Sequence, residues 1–507
     1  GGGHGCAVAD GGVRCWGENG SGQLGNGTTT ASLIPLQSVP AGSGASSVAA
    51  SWYHTCAVVD GGVKCWGAGN TGQLGNGTYS SSSTPVEALP AGIGAMAVAA
   101  GSGFHWNWGY SSIHHSCAVV EGGVKCWGDN SSGQLGDGTT NSSAIPVQAI
   151  PKNGGGTAIA TGGSHSCAVI SGGVKCWGAG DNGQLGNGAT KSSVKPVQAL
   201  PAGSGATAIA AGYLHSCAVV AGGVQCWGEG GSGQLGHGKI NSSFLPVQAI
   251  PAGSGATAVA AGYSHSCAVV AGGVRCWGSG SYGELGNGTT QTSTTPVQAI
   301  PVGSDATAVA TGWNYQPYSP GIQSSYSCAV VAGGVQCWGS GGSGQLGNGN
   351  SNSSLVPVWT QGLAQRDAVD ILTLQILGAG RVTSNLPGGD CTGNCAYSYP
   401  VPTTVTLAAS PDSLSRFVGW EGDCAAATGV SCEIQVEGTK KVTARFAPLS
   451  DAITQSLDLA EAVWTDGGDA FWFAQERVTH DGVDAAQSGG IGDNQTGRLT
   501  TSLTGPG

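Results

Sequence analysis

The chain has 507 residues, among them 94 Gly, 21 Pro and 18 Cys, with a formal net charge of −11. Charged residues make up only 9% and no Lys/Arg cluster occurs, so the phosphate neutralisation that nucleic-acid binding needs is excluded. No run of about 18 apolar residues is present to cross a bilayer as a helix, and the length suggests about three domains.

Seven copies of one pattern run from Gly1 to about Val358. Each reads H-S/T-C-A-V-x-x-G-G-V-K/R/Q-C-W-G, then G-Q/E-L-G-N-G, then P-V-Q-A. Their first cysteines are spaced by 50, 61, 50, 50, 50 and 61 residues, so the unit is 50 residues and two copies carry an 11-residue insertion. A fixed period of this size signals a repeat architecture. Stretches rich in Val and Ala, such as Thr257–Ala261, Cys267–Val270 and Val274–Trp277, alternate with Gly, Ser, Asn and Pro, and no segment keeps a helical period. Three or four short strands per unit, seven times over, predict an all-β fold, a seven-bladed β-propeller over residues 1–366. A β-solenoid is the alternative, but its coils are usually shorter than this unit.

The cysteines test the strand reading. In every copy the second follows the first by nine. A two-residue turn at Asp10-Gly11 would pair Ala9 with Gly12, Val8 with Val13, Ala7 with Arg14 and Cys6 with Cys15. Cys6 and Cys15 then meet at a non-hydrogen-bonded pair, where the Cα atoms are closer and within disulfide reach. The same count predicts Cys56–Cys65, Cys117–Cys126, Cys167–Cys176, Cys217–Cys226, Cys267–Cys276 and Cys328–Cys337. Zinc is the competing reading, and the nine-residue spacing does not suit it. Seven local disulfides imply an oxidising compartment and therefore export.

The H-S-C-A-V strand, the V-x-C-W-G strand and the G-Q-L-G-N-G turn, repeated seven times, resemble the regulator of chromosome condensation repeat family. That family implies a seven-bladed propeller. The paired cysteines depart from its nuclear members and look like its secreted bacterial relatives. Nucleotide exchange on a small GTPase is therefore not carried over. Secreted relatives of the β-lactamase inhibitory protein type imply instead the binding of another protein on one propeller face.

The ring is incomplete at its start. Other copies place A-T-A-V-A-A ahead of the Gly that stands five residues before the first Cys, and Gly1 holds that point here. The abrupt start and stop read as the ends of a fragment, with the missing strand cut away. Alternatively, the segment near Asp367–Leu372 supplies that strand from the C-terminal side.

Composition shifts after Val358. Residues 359–507 carry 8 basic and 17 acidic residues, against 9 and 11 in residues 1–358. Residues 367–448 read as a small β domain. Gly380-Arg381-Val382, Cys391 to Cys395, Phe417-Val418-Gly419-Trp420 and Val442-Thr443-Ala444-Arg445-Phe446 resemble bacterial surface repeats related to internalin-type B repeats, which implies a surface spacer. Of three pairings open to its four cysteines, the local ones, Cys391–Cys395 and Cys424–Cys432, are favoured. Residues 449–507, with Trp464, Trp472 and Phe473, resemble the opening of a jelly-roll-like module. Asp481, Asp484 and Asp493 are more simply a solvated acidic loop than a Ca²⁺ site.

Several motifs look chemical and read better as structure. His4, His54, His115, His165, His215 and His265 each stand two residues before a Cys, and Tyr326 takes that place in the seventh copy. Oxidised cysteines offer no thiolate, so no catalytic residue is assigned. The repeated G-x-G-x-x-G lacks the following helix that a phosphate site needs, so no cofactor is expected. One C-W-G tryptophan per copy (Trp16, Trp66, Trp127, Trp177, Trp227, Trp277 and Trp338) predicts blade-to-blade packing.

The insertions break the repeat. Gly101–Ser116 holds Phe104, His105, Trp106, Trp108, Tyr110 and His114, and Gly312–Ser327 holds Trp313, Tyr315, Tyr318 and Tyr326. Both enter just before the H-S-C strand, and equivalent propeller loops share a face. Trp52, Tyr53, Tyr213 and Tyr263 occupy the same turn in other copies. The expectation is an exposed aromatic crown that binds a protein or a glycan. Its competitor is a plug over the propeller's hole, and no metal site is assigned to His105, His114 and His115. The leading reading is an exported bacterial binding or adhesion protein. Alternatives are a subunit of a surface or filament assembly that associates with itself, and a non-catalytic part of a larger extracellular enzyme.

Overall fold

A hairpin organises each repeat, and its turn sequence sets the register. In the computed structural model Ala221 and Gly222 have φ of 49° and 72°, the left-handed pair of a type I′ turn. Asp10-Gly11, Asp60-Gly61, Glu121-Gly122, Ser171-Gly172, Ala271-Gly272 and Ala332-Gly333 adopt the same conformation. Cys217 therefore faces Cys226 across His215–Val220 and Gly223–Gly228, and the two are bonded with Cα atoms 4.0 Å apart. The other six predicted hairpin disulfides, Cys6–Cys15, Cys56–Cys65, Cys117–Cys126, Cys167–Cys176, Cys267–Cys276 and Cys328–Cys337, form likewise.

The structure describes residues 1–105, 111–315, 323–363, 370–385, 391–399, 403–413, 415–436 and 439–448, with the backbone of four short strands beyond them. No helix among these is long and apolar enough to cross a membrane. Gly1–Gln365 and Arg366–Gly507 form two units. The first is an all-β, seven-bladed propeller. The fifth blade is typical, with an inner strand Ala206–Ala211, the hairpin strands, and an outer strand Ser243–Ile250, all antiparallel and in sequence order. Six blades have four strands, and the first has three: His4–Ala9, Gly12–Gly17 and Ser32–Val39.

The core repeats at every blade interface. Cys217, Val219, Val224, Cys226 and Leu235 of the fifth blade pack on Ala256, Val259, Ala268 and Trp277. Trp277 is fully buried, and its indole N–H donates to the Gln234 carbonyl at 2.9 Å. Every C-W-G tryptophan repeats this bond to the preceding blade's turn. A large ring is thus buried with its one polar atom satisfied, which is the condition for Trp to fill a core.

A second ring of bonds runs through the histidines. Ser216 Oγ–H donates to the Gln184 carbonyl at 3.0 Å, so its proton is already used. His165 Nε2, 2.9 Å from that oxygen, must then be the donor. His4, His54, His115, His215 and His265 make the same link to Thr55, Ser116, Ser166, Ser266 and Ser327. All six imidazoles are buried and held neutral with Nε2 protonated. Burial drives His165 and His265 down to about 3, and His115 and His215 to about 4.

The seam between the seventh and first blades uses a different pair. Gly5 stands where the other blades have Ser or Thr, and a Cβ there would lie 2.8 Å from the Trp16 ring. Tyr326 stands where they have His, and its longer side chain donates from Oη to the His4 carbonyl at 2.6 Å. Trp313 N–H to Gly1 O (3.1 Å), Gly349 N–H to Leu33 O (3.1 Å) and Arg14 to Gly362 O (3.0 Å) complete the closure. The expectation that Asp367–Leu372 would supply the first blade's inner strand is overturned. Asp370–Leu377 is a strand, but it lies in the second unit between Asn394–Tyr399 and, in parallel, Thr439–Pro448. Its Leu372 and Leu374 are buried in that unit's own core, which holds it there.

The second unit contains a four-stranded sheet, completed by Ser415–Gly422, and a three-stranded sheet of Gly380–Ser384, Thr403–Pro411 and Ser431–Val436. Their inward alternate residues, including Val382, Val405, Leu407, Ile434, Val442 and Phe446, meet around Trp420. Cys391–Cys395 and Cys424–Cys432 are both bonded. Farther on, Trp464–Gly468 pairs with Gly497–Thr501, and Trp472–Gln475 pairs with Ala485–Ser488. Asp481, Asp484 and Asp493 lie outside the described residues.

Candidate functional site

The turn between the inner strand and the hairpin opens, in blades two to seven, at the same mouth of the central channel. The two insertions lengthen this turn into β-hairpins. Ala95–His105 pairs with Ser111–Val120 out to His105 and Ser111, and Ala306–Tyr315 pairs with Gln323–Val331 out to Tyr315 and Gln323. Blades three and seven therefore project beyond the mouth while the other five do not.

At the base of these hairpins the aromatic rings turn inward. Trp313 reaches across the ring, its centroid 4.4 Å from Trp52 of the second blade and 5.0 Å from both Tyr213 and Tyr263 of the fifth and sixth. Tyr213 and Tyr263 stack at 4.8 Å. Trp52 is only 2% exposed and Tyr213 only 7%. Trp52 and Tyr213 are thus buried, Tyr263 and Trp313 are half-buried, and the four rings pack together as an aromatic plug. The physical reason is area, since an aromatic ring gains several kcal/mol by burial and the glycines around the channel leave it room. Below the plug lies a cavity of about 120 Å³ lined by Ala50, Ala100, Thr161, Ala211, Ala261 and Thr311.

Tyr53 sits at the edge of this plug, half-buried, edge-on to Trp52 and to His114. Burial first, and Glu18 second, raise its phenol above the ordinary value. His114 and His115 are both buried, His115 being committed to Ser166. Phe104 and Tyr315 lie on the projecting strands. Trp106, Trp108, Tyr110 and Tyr318 lie outside the described residues.

Sequence reading passed over a second apolar surface. In the outer-strand pattern S-x-x-P, the blades meeting at the seam carry Leu33-Ile34 and Leu355-Val356, all exposed, where the sixth blade has Thr294-Thr295. Phe244-Leu245 of the fifth blade is a further exposed apolar pair at this position, and the signal in the sequence is an apolar pair where the second and sixth copies have Ser83-Thr84 and Thr294-Thr295.

The regulator of chromosome condensation (RCC1) repeat model matches residues 10–58, 60–105, 121–169, 171–219, 221–269, 271–315 and 332–372, and a second RCC1 repeat model matches 256–284. The divergent InlB B-repeat domain model matches residues 382–450. No curated protein sequence matches the chain. Human WBSCR16 is a structural neighbour with 22% identity and a TM-score of 0.55, over 70% of this chain and 94% of that one. Yeast RCC1 (Prp20), in its complex with Kap60, gives 20% and 0.56 over 71% and 85%. Prp20p from Saccharomyces cerevisiae, described with its binding to Gsp1p and histones, gives 21% and 0.57 over 72% and 89%.

Proposed function

Because the chain belongs to the RCC1 repeat family, a family of protein-binding propellers, we propose that it is an exported, surface-displayed bacterial binding or adhesion protein. In this reading it takes a protein or glycan on the face from which the two long hairpins rise. The carrying observation is that, among the described residues, blades three and seven alone are lengthened at this turn, beside a mouth where aromatic rings pack together. In this reading recognition falls to the hairpins, whose sequence offers Phe104, Trp106, Trp108, Tyr110, Tyr315 and Tyr318 with few charges. Nine disulfides and the InlB-type repeat favour an extracellular setting, with the second unit as spacer. The reading is of binding without catalysis.

The test is binding of the whole protein to a glycan array and a cell-envelope and host protein panel, beside a variant carrying W106A, W108A, Y315A and Y318A. Loss of a partner in the variant, with unchanged circular dichroism, supports the hairpin face. Equal binding by both refutes it. The exposed Leu33, Ile34, Leu355 and Val356 favour one further reading, a subunit of a surface assembly. Reversible self-association at neutral pH, abolished by L33S and L355S, would put that reading first.

A further inference from the structure

The fifth blade carries an apolar and basic patch on the outer rim of the propeller. Ile240 is 67% exposed, Phe244 44% and Leu245 58%. Phe244 and Leu245 lie over the fourth blade's turn, where the Gly188 N–H donates to the Phe244 carbonyl at 2.9 Å and a Cβ on Gly188 would stand 3.5 Å from Leu245. The chain leaving that turn carries Lys191 and Lys195, and in the fifth blade Lys239 directly precedes Ile240. All three lysines are exposed, and none makes an ion pair among the described residues. Residues 182–196 and 230–246, which hold this patch, contain no Asp or Glu.

We propose that this patch docks the propeller on an anionic lipid surface. In a chain of net charge −11, three uncancelled lysines on one stretch of rim select a negative partner there. The outer wall of a ring curves away on both sides of the patch, so it presents side-chain tips to a flat surface and not a groove to a peptide. Protruding Ile, Phe and Leu tips suit the boundary between headgroups and acyl chains, and lysines beside them lay their stems on the apolar layer while the ammonium groups stay among the phosphates. Three cations are few for a nucleic acid, whose binders neutralise more phosphates. The seam pairs Leu33-Ile34 and Leu355-Val356 make the contrast, since residues 20–35 and 341–357 contain no Lys or Arg. The inference does not rest on the hairpin-face reading, because the patch lies on the outer strands and not at the channel mouth.

The test is co-sedimentation of the full chain with two kinds of vesicle, phosphatidylcholine alone and phosphatidylcholine with about one third phosphatidylglycerol. Each lysine near an anionic surface gains about fivefold in partitioning, so binding about tenfold or more tighter to the anionic vesicles is expected, and lost in about 0.5 M salt. A variant carrying K191Q, K195T and K239T should bind the anionic vesicles no better than the neutral ones. A variant carrying I240T, F244T and L245T should bind them about tenfold more weakly. Both variants install residues that the sixth blade carries at the same positions, Thr289, Thr290, Gln291, Thr294 and Thr295, so the fold is kept, and the urea midpoint checks this. No co-sedimentation, equal binding to the two vesicles, undiminished binding by either variant, or an equal loss in L33S and L355S would each overturn the proposal. So would binding to soluble polyphosphate as tight as to vesicles and unaffected by I240T, F244T and L245T, since the lysines would then be reading phosphate alone.

Discussion

The histidine ring makes the propeller sensitive to acid in a calculable way. His4, His54, His115, His165, His215 and His265 are buried, each with Nε2–H donated to a neighbouring hydroxyl. Desolvation keeps them neutral, with His165 and His265 at about 3, His115 and His215 at about 4, and His4 and His54 pushed well below the ordinary value. In the unfolded chain each titrates near 6.5. As pH falls below that value the unfolded state takes up protons that the folded state refuses, so stability is lost from about pH 6.5 down towards the folded values. Each histidine contributes about 1.4 kcal/mol per pH unit once its unfolded form is charged, and six together contribute roughly 8 kcal/mol per pH unit. That exceeds half the stability of a typical domain. Asp129 works against the shift at His115 and the raised carboxyls of Glu18 and Glu284 work in the opposite sense, while His114, also buried and lowered to about 4, adds to the uptake.

Urea midpoints between pH 8 and pH 5, followed by tryptophan fluorescence, measure the slope directly. An uptake of about six protons on unfolding near pH 5.5 is expected, from the six ring histidines and His114. His165→Gln keeps an N–H for Ser216 and cannot titrate. It should cost about 1–2 kcal/mol at pH 8 and recover about 1.4 kcal/mol of that relative to the parent by pH 5.5. An uptake of one proton or none would refute the neutral ring.

Tyr326→Phe removes the seam bond to the buried His4 carbonyl and should cost about 1–3 kcal/mol, read as a lower urea midpoint. Ala221 and Ala271 hold φ of 49° in their turns. Ala→Asn at either should raise the midpoint by roughly 0.5–1 kcal/mol, because Asn tolerates the left-handed region better, and Ala→Val should lower it. Cys6 is half-buried while Cys56, Cys117, Cys167, Cys217 and Cys267 are fully buried. Limiting reductant followed by alkylation and mass mapping should therefore find Cys6–Cys15 opened before those five.

The propeller's local grammar is readable because each signal is short-range. A two-residue turn and a nine-residue spacing leave one register in which Cys217 can meet Cys226, and the structure adopts it. Closure and side-chain direction are not local. Gly5 and Tyr326 each look like a lapse from the pattern, and their complementarity emerges only when ends 321 residues apart in sequence become neighbours. The segment L-T-L-Q-I signals a strand correctly, but a β-pattern does not name its partner, and buried Leu372 and Leu374 decide for the second unit. The aromatic turns were legible as a group at one mouth. Whether Trp313 points to solvent or across the ring depends on the width of the closed channel, which no single repeat encodes.

That direction separates stability from recognition in a testable way. Trp313 contacts Trp52, Tyr213 and Tyr263 at once, so Trp313→Ala should enlarge the roughly 120 Å³ cavity and loosen the seam. For a half-buried ring the cost should be about 2–4 kcal/mol, somewhat below that of a fully buried Trp→Ala change. If partners engage the projecting hairpins, W313A should lower the urea midpoint while leaving affinity within about threefold of the parent, measured where both are folded. The hairpin-tip substitutions should do the reverse. An affinity loss in W313A as large as in the tip variant, at equal folded fraction, would mean that the mouth itself is the contact surface and that the plug opens to meet its partner.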